Sequence, residues 1–160
     1  EYNLFDNVGG DSEIFCSKSS GNTFRYNVAA CCPDAAFTLR GGDDALVEGN
    51  ILVENGSGIR VFGSNHRIVN NLIVDCSGPA LVLQGGHEKG VPPGGCLFAH
   101  NTCLNNGDAL TATPPRADPG LIPYGNRGVN NIFSSGRGGL LSAHAKPQAA
   151  GGSTRHQFRT

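Results

Sequence analysis

An asparagine, usually followed by an aliphatic residue, returns along this chain at Asn3, Asn27, Asn50, Asn71, Asn101 and Asn131, at intervals of 24, 23, 21, 30 and 30 residues. Self-similarity at such a period means one structural unit repeated, each copy burying its apolar face against the next. In four of the copies the residue three before the asparagine is apolar: Phe24, Val47, Ile68 and Phe98. About ten residues earlier runs a second apolar segment (EIFCSK, AFTLR, GIRVF, ALVLQ), and a third follows each asparagine (NLF, NVA, NILV, NLIV, NNIF).

Three short strands per 20 to 30 residues, with no helical period between them, predict an all-β fold, a right-handed parallel β-helix of about six coils. A β-sandwich would show two-residue hairpin turns, and a propeller needs four strands per repeat of about 40 residues. Strand alternation turns Phe37, Leu39, Ile59, Val61, Leu81 and Leu83 inward, between Thr38, Arg40, Arg60 and Val82. Asparagines at equivalent turns are expected to stack into a hydrogen-bonded ladder. The core is expected over 1–144, with Pro/Gly-rich loop insertions near 85–95 and 113–125. The stretch 145–160 reads as an irregular tail or the start of a further coil. A chain without Met that begins inside a strand-like segment reads as truncated at its N-terminus, and the C-terminus is open in the same way.

Glycine is 24 of 160 residues and net charge is −1, so no global field favours nucleic acid or an anionic membrane. Up to Glu54 nine acids face three bases, and beyond it four acids face nine bases. No transmembrane run is visible. The six cysteines show no CxxC spacing, which argues against zinc; they read as small buried groups, with one disulfide left open.

The segment DSEIFCSKSSGNTFRYN, Asp11 to Asn27, carries two acids and a lysine in a spacing that later repeats lack. Counted back from their asparagines, Lys18, Arg40, Arg60 and Gln84 stand 9, 10, 11 and 17 residues away. Lys18 and Arg40 should be neighbours on adjacent coils about 4.8 Å apart, with Arg60 one coil further. A row of cations on one sheet face repels itself, and a polyanion laid along it relieves that repulsion.

The segments SEIFCSKSSGNTFRYN, FTLRGGDDALVEGN and GIRVFGSNHRIVNN, in this order, resemble the core of polysaccharide lyase family six, the chondroitinase B and alginate lyase family. The resemblance is strongest over Asn3 to Asn71. It implies a secreted or periplasmic lyase that cleaves a uronic-acid polysaccharide by β-elimination, with an acidic polysaccharide as its partner. It implies Lys18 as catalytic base and Arg40 acting as or with the acid. It implies calcium on Asp11 and Glu13, with a third ligand on a preceding coil outside this chain. The family typically shows Arg-His-Gly where this chain has Arg40-Gly41-Gly42.

The chemistry agrees. Removing the proton beside a uronate carboxylate requires a neutral base and neutralisation of the developing carbanion. A cationic neighbour favours a neutral base, and a hard cation or a guanidinium neutralises charge. Arg60 suits a second carboxylate or sulfate by bidentate pairing, and His66 and Gln84 are expected to border the cleft. Two rivals use the same fold: a noncatalytic glycan-binding or surface β-helix, and a glycoside hydrolase using Asp43 and Asp44.

Overall fold

The computed structural model describes residues 1–86, 91–115, 121–143 and 157–159. It contains eighteen short strands, and every strand pairs with the strand three places along the chain. The first sheet stacks β1 (Leu4–Asp6), β4 (Val28–Ala30), β7 (Ile51–Val53), β10 (Leu72–Val74), β13 (Thr102–Asn106) and β16 (Ile132–Ser135). The second stacks β2 (Glu13–Ser17), β5 (Ala36–Leu39), β8 (Ile59–Val61), β11 (Leu81–Leu83), β14 (Leu110–Ala112) and β17 (Leu141–Ala143). The third stacks β3 (Thr23–Arg25), β6 (Leu46–Glu48), β9 (Arg67–Val69), β12 (Leu97–Ala99), β15 (Arg127–Val129) and β18 (Gln157–Arg159). The pairings are parallel throughout, so the chain winds as a parallel β-helix with six strands in each sheet.

The inward residues form columns along the axis. Ala29, Leu52, Ile73 and Cys103 are register partners in the first sheet, and Phe24, Val47, Ile68 and Phe98 in the third. In the second sheet Phe37, Leu39, Ile59, Val61, Leu81 and Leu83 are all buried in the core, as alternation predicts. Aromatic rings from all three sheets fill the first coils: Phe15 stacks on Phe24 at 4.3 Å and tilts against Phe37 at 4.4 Å, and Phe5 meets Phe37 edge-on. All six cysteines are free thiols; Cys32, Cys76, Cys96 and Cys103 are buried.

The corner between the third and first sheets explains the asparagine period. The residue before each repeat asparagine is left-handed: Tyr2, Tyr26, Gly49, Asn70, His100 and Asn130 have φ of 58°, 56°, 62°, 57°, 57° and 52°. That sharp turn aims the next side chain inward along the axis. Each asparagine Nδ2 then donates to Oδ1 of the next, from Asn3 through Asn27, Asn50, Asn71 and Asn101 to Asn131, at 2.9 to 3.0 Å. Each asparagine's backbone N–H donates to the same Oδ1 at 3.0 to 3.1 Å. One buried carbonyl thus satisfies two donors that would otherwise be orphaned in the core.

One irregularity matters for the site. In the β2–β5 pairing the register runs Glu13↔Ala36 and then Phe15↔Phe37, so Ile14 is an extra, bulged residue. Strict alternation would put Glu13 and Lys18, an odd number of residues apart, on opposite faces. The bulge lets Ile14 and Phe15 both pack against the core and returns Glu13 to the outward face.

The two stretches at 85–95 and 113–125 link the second sheet to the third, and 87–90 and 116–120 lie outside the described residues. Where described, they are tied down: Gly86 N donates to Leu121 O at 2.8 Å, and Gly63 N to Val91 O at 2.9 Å. Of the stretch 145–160 only β18 is described, and it pairs with β15.

Asn71→Ala should lower the unfolding free energy by about 3 kcal/mol, since it strips the acceptor from two buried donors of Asn50. Ile132→Ala, at an exposed position, should cost about 0.5 kcal/mol or less. Urea denaturation of both variants checks this, and equal midpoints would remove the ladder's stabilising role.

Candidate functional site on the second sheet

The outward edge of the second sheet carries Glu13, Lys18, Arg40 and Arg60. Arg40 N donates to Ser17 O at 2.7 Å, so Arg40 follows the register Ser17↔Leu39 and lies beside Lys18 on the adjacent coil. The same bond recurs in later coils, with Phe62 N on Leu39 O at 2.9 Å, Gln84 N on Val61 O at 3.0 Å and Thr113 N on Leu83 O at 3.0 Å. The row is therefore Lys18, Arg40, Phe62, Gln84, Thr113.

Arg60 does not belong to this row. It is the register partner of Thr38 and Val82, two residues earlier in its strand, and buried Phe62 takes the place expected for it. Counting back from the asparagines misplaces it by two residues: its distance of 11 already exceeds the 10 of Arg40 by one, and the turn after β5 holds six residues, 40–45, against five, 62–66, after β8, so the equivalent of Arg40 stands 9 back. Gln84 is half-buried; its Nε2 donates to Thr113 Oγ1 at 2.5 Å, and Gly85 N donates to the same oxygen at 2.9 Å.

His66 was expected at the cleft border, but it is buried at 1% exposure. Its Nδ1 accepts from Ala45 N at 3.0 Å and its Nε2 donates to Phe62 O at 2.7 Å, so both ring nitrogens are committed to backbone and neither faces a ligand. The reason lies in its column. Ala45, His66, Cys96 and Asn126 occupy equivalent corner positions, where Asn126 Oδ1 accepts from Cys96 N at 3.0 Å. His66 does with a ring nitrogen what the asparagine does with its carbonyl.

Lys18 is exposed, and its ammonium makes no ion pair among the described residues. Arg40 pairs through Nη1 with Glu13 Oε1; the arginine side chain is 36% exposed and the glutamate 9%. The hydrogen bond to Glu13, and then its charge, raise the Arg40 pKa, which holds the guanidinium protonated. Cys16 lies between Glu13 and Lys18; burial first, and a hydrogen bond to Glu13 second, push its thiol up to about 11.

Arg40 stands two outward positions beyond Ala36, the register partner of Glu13, so the ion pair runs over the outward positions of Cys16 and Thr38. Thr38 is fully buried there, and its Oγ1 has no hydrogen-bond partner among the described residues. Such a hydroxyl costs about 1–3 kcal/mol. Nothing in the sequence marks the Glu13–Arg40 contact, because the bulge at Ile14 decides which way Glu13 points.

Asp11 is exposed, and its Oδ1 accepts from Ser12 N at 2.5 Å and Ser12 Oγ at 3.3 Å. Calcium takes six to eight oxygens. Asp11 and Glu13 supply two carboxylates, one already committed to Arg40, and among the described residues no group of three or more His, Cys, Asp or Glu could hold a metal ion. As arranged, these side chains do not fit calcium by themselves. Asp43 and Asp44, the carboxylates of the hydrolase reading, are exposed turn residues; Asp43 Oδ1 caps Ser64 N at 2.7 Å and Asp44 has φ +58°.

The two glycines after Arg40 differ. A Cβ on Gly41 would meet only Lys18 O and Cα, at 3.7 and 3.8 Å, an ordinary contact. A Cβ on Gly42, at φ +78°, would lie 2.3 Å from the Ser19 carbonyl carbon. The chain therefore has room for a side chain at the place where the family carries histidine, and none at the next.

A solenoid of three sheets, each paired in parallel from coil to coil, is the architecture of parallel β-helix proteins. Within that class the family is defined: the model for chondroitinase B matches residues 1–81, just over half of the 160 residues, and the chain belongs to that family, polysaccharide lyase family six. Two solved structures share its fold. A mannuronic acid specific polysaccharide family 6 lyase from human gut microbiota is 21% identical, with a TM-score of 0.72 over 88% of this chain. A PL6 family polysaccharide lyase from Pseudopedobacter saltans is 24% identical, with a TM-score of 0.70 over 94% of this chain. The chain spans 35% and 42% of the length of those two proteins. No curated protein matches the sequence.

Two predictions follow from the turn geometry. His66 has its pKa lowered, chiefly by burial, against opposing contributions from the Phe62 carbonyl, Asp43 and Asp44. The unfolded chain then takes up a proton near the ordinary value of about 6.5 while the folded one resists, so stability falls as pH drops below it. His66→Asn should keep the acceptor for Ala45 N and flatten that fall in urea titrations from pH 8 to 5; an unchanged slope assigns it to other groups. Gly41→His should leave the melting temperature within a few degrees of the parent, whereas Gly42→Ala should lower it markedly or prevent folding.

Proposed function

We propose that this chain carries the central catalytic coils of a lyase that cleaves an acidic, uronate-containing polysaccharide of the alginate or chondroitin/dermatan sulfate type by β-elimination. One observation carries the reading: Lys18 and Arg40 lie side by side on consecutive coils, outward on the second sheet, in a chain of the chondroitinase B family.

In this reading Lys18 takes the C5 proton of the uronate. The electron pair left at C5 forms the C4=C5 double bond, the C4–O bond breaks, and the departing oxygen takes up a proton from water. The Arg40 guanidinium, held protonated, neutralises the uronate carboxylate as charge develops on it. Arg60, two residues back on the neighbouring coil, suits a further carboxylate or sulfate along the chain. Gln84 and Thr113, joined by their hydrogen bond, continue the row toward the loops. A secreted or periplasmic location goes with a polymeric substrate of this kind.

The Glu13–Arg40 pair also favours a second reading, a noncatalytic glycan-binding β-helix in which the arginine is spent on a structural contact. The test is the ultraviolet absorbance of the unsaturated uronate product, measured with the full-length protein on alginate, dermatan sulfate and chondroitin sulfate, with and without a chelator. Lys18→Ala should reduce turnover about 10²- to 10⁴-fold with the fold intact. Arg40→Ala should lose most activity, and Asp43→Ala with Asp44→Ala little. Near-normal turnover by the lysine variant, with loss in the aspartate variant, would overturn the lyase reading in favour of a hydrolase. Binding without elimination would leave the glycan-binding reading. Inhibition by the chelator, reversed by calcium, would mean that the ion takes part in the reaction.

A further inference from the structure

The outward row of the second sheet places Thr38 beside Arg60, then Val82, then Thr111. Its three β-branched members are treated differently. Val82 fills its place with no polar atom, and Thr111 Oγ1 is hydrogen-bonded to Asp108 Oδ2 at 3.0 Å. Thr38 alone keeps a hydroxyl that is fully buried and has no partner among the described residues. Valine is the isostere of threonine, and Val82 demonstrates that the row accepts it, so packing gives no reason for the hydroxyl. Buried polar groups without partners are few in folded proteins, and one beside a site points to a second state in which the partner is present.

The contact that spans the outward positions of Cys16 and Thr38 is one for which an anionic substrate competes. By register, Glu13 and Arg40 stand on either side of Thr38, and Arg40 is the more exposed member. A guanidinium exchanges one carboxylate for another with little change in its own bonding geometry. When Arg40 turns from Glu13 to a substrate carboxylate, that contact opens and the anion arrives beside Thr38.

We propose that Thr38 Oγ1 is a binding group for the carboxylate of a uronate unit, spanned here by the Glu13–Arg40 pair and opened when Arg40 engages that anion. The proposal rests on the reading of this face as a uronan site, and deepens it by assigning a contact that the closed arrangement hides. Thr38 then donates a charge-assisted hydrogen bond from the floor of the site, while Arg40 closes over the carboxylate from the rim.

The experiment uses the full-length protein and defined oligosaccharides of alginate and of chondroitin sulfate. Elimination kinetics are measured for the parent, Thr38→Val and Thr38→Ser; calorimetric affinity is measured in a Lys18→Ala background, alone and with Thr38→Val or Thr38→Ser; melting temperatures are measured for all variants. Thr38→Val is expected to lower kcat/KM and oligosaccharide affinity about tenfold. Its melting temperature is expected to equal or exceed the parent's, because the change removes a buried unpaired hydroxyl. Thr38→Ser, which keeps the hydroxyl, should restore most of the affinity. If Thr38→Val leaves kcat/KM and affinity within twofold of the parent, the hydroxyl serves something other than substrate and the proposal fails while the lyase reading stands. Loss of affinity together with a fall in melting temperature, and no rescue by serine, marks a packing role and also overturns it. If the parent binds the oligosaccharide without eliminating it and Thr38→Val weakens that binding, the lyase reading fails and the Thr38 contact stands. A parent that neither binds nor eliminates overturns both.

Discussion

Hydrogen bonding from coil to coil, in register, is the constraint from which the rest of this molecule follows. Each strand is only three to five residues long and makes no pairing within its own coil, so the ladder to the coils above and below holds it. The corners obey the same demand. Between the third and first sheets the asparagine column supplies the acceptors. After the first sheet Asn55 and Asn106 accept from Cys32 N and Cys76 N, and between the second and third sheets His66 and Asn126 accept from Ala45 N and Cys96 N. At all three corners an inward side chain satisfies the amide of the preceding coil, so a chain that turns every few residues leaves few orphaned groups in its interior.

A site on such a scaffold is a matter of rank and file. The column fixes which residues are neighbours across coils, and the strand position fixes which way each points. Lys18 and Arg40 are neighbours because the Ser17↔Leu39 register leaves them no alternative. The cost is local: an arginine beside a lysine on one edge repels it, and Glu13 offsets that by pairing with one nitrogen of the partly exposed guanidinium. The Arg40 charge is therefore matched by one carboxylate, and an anion engaging the guanidinium competes with Glu13 or uses its other N–H groups.

Much of this was legible in the residues. The asparagine period carries the number of coils, and alternation carries the core of β5, β8 and β11, since both are rules about repeat and parity that the solenoid breaks in the second sheet at the Ile14 bulge. The neighbouring of Lys18 and Arg40 was legible for the same reason. Arg60 was misaligned because asparagine-to-asparagine counting sums a strand and a turn, and turns change length without disturbing the sheet. His66 was misjudged because an imidazole can stand in for a carboxamide at a corner, and a lone histidine in a glycine-rich turn carries no mark of that. The Glu13–Arg40 contact was beyond reach, since a bulge within β2 decides which way Glu13 points.

The bulge at Ile14 has a consequence for how such a chain tolerates change. The solenoid absorbs insertions at its corners, as coils of 21 to 30 residues stacked on one another attest. Within β2, however, the direction of Glu13 is set by a residue count and not by a residue type. Loss of Ile14 would remove the bulge and leave Glu13 next to Phe15, four residues from Lys18 and still outward, whereas regular pairing of Ile14 with Ala36 would turn the carboxylate into the apolar interior. The direction of Glu13 is thus guarded by parity: at five residues from Lys18 it needs the bulge to face outward, and at four it would need none.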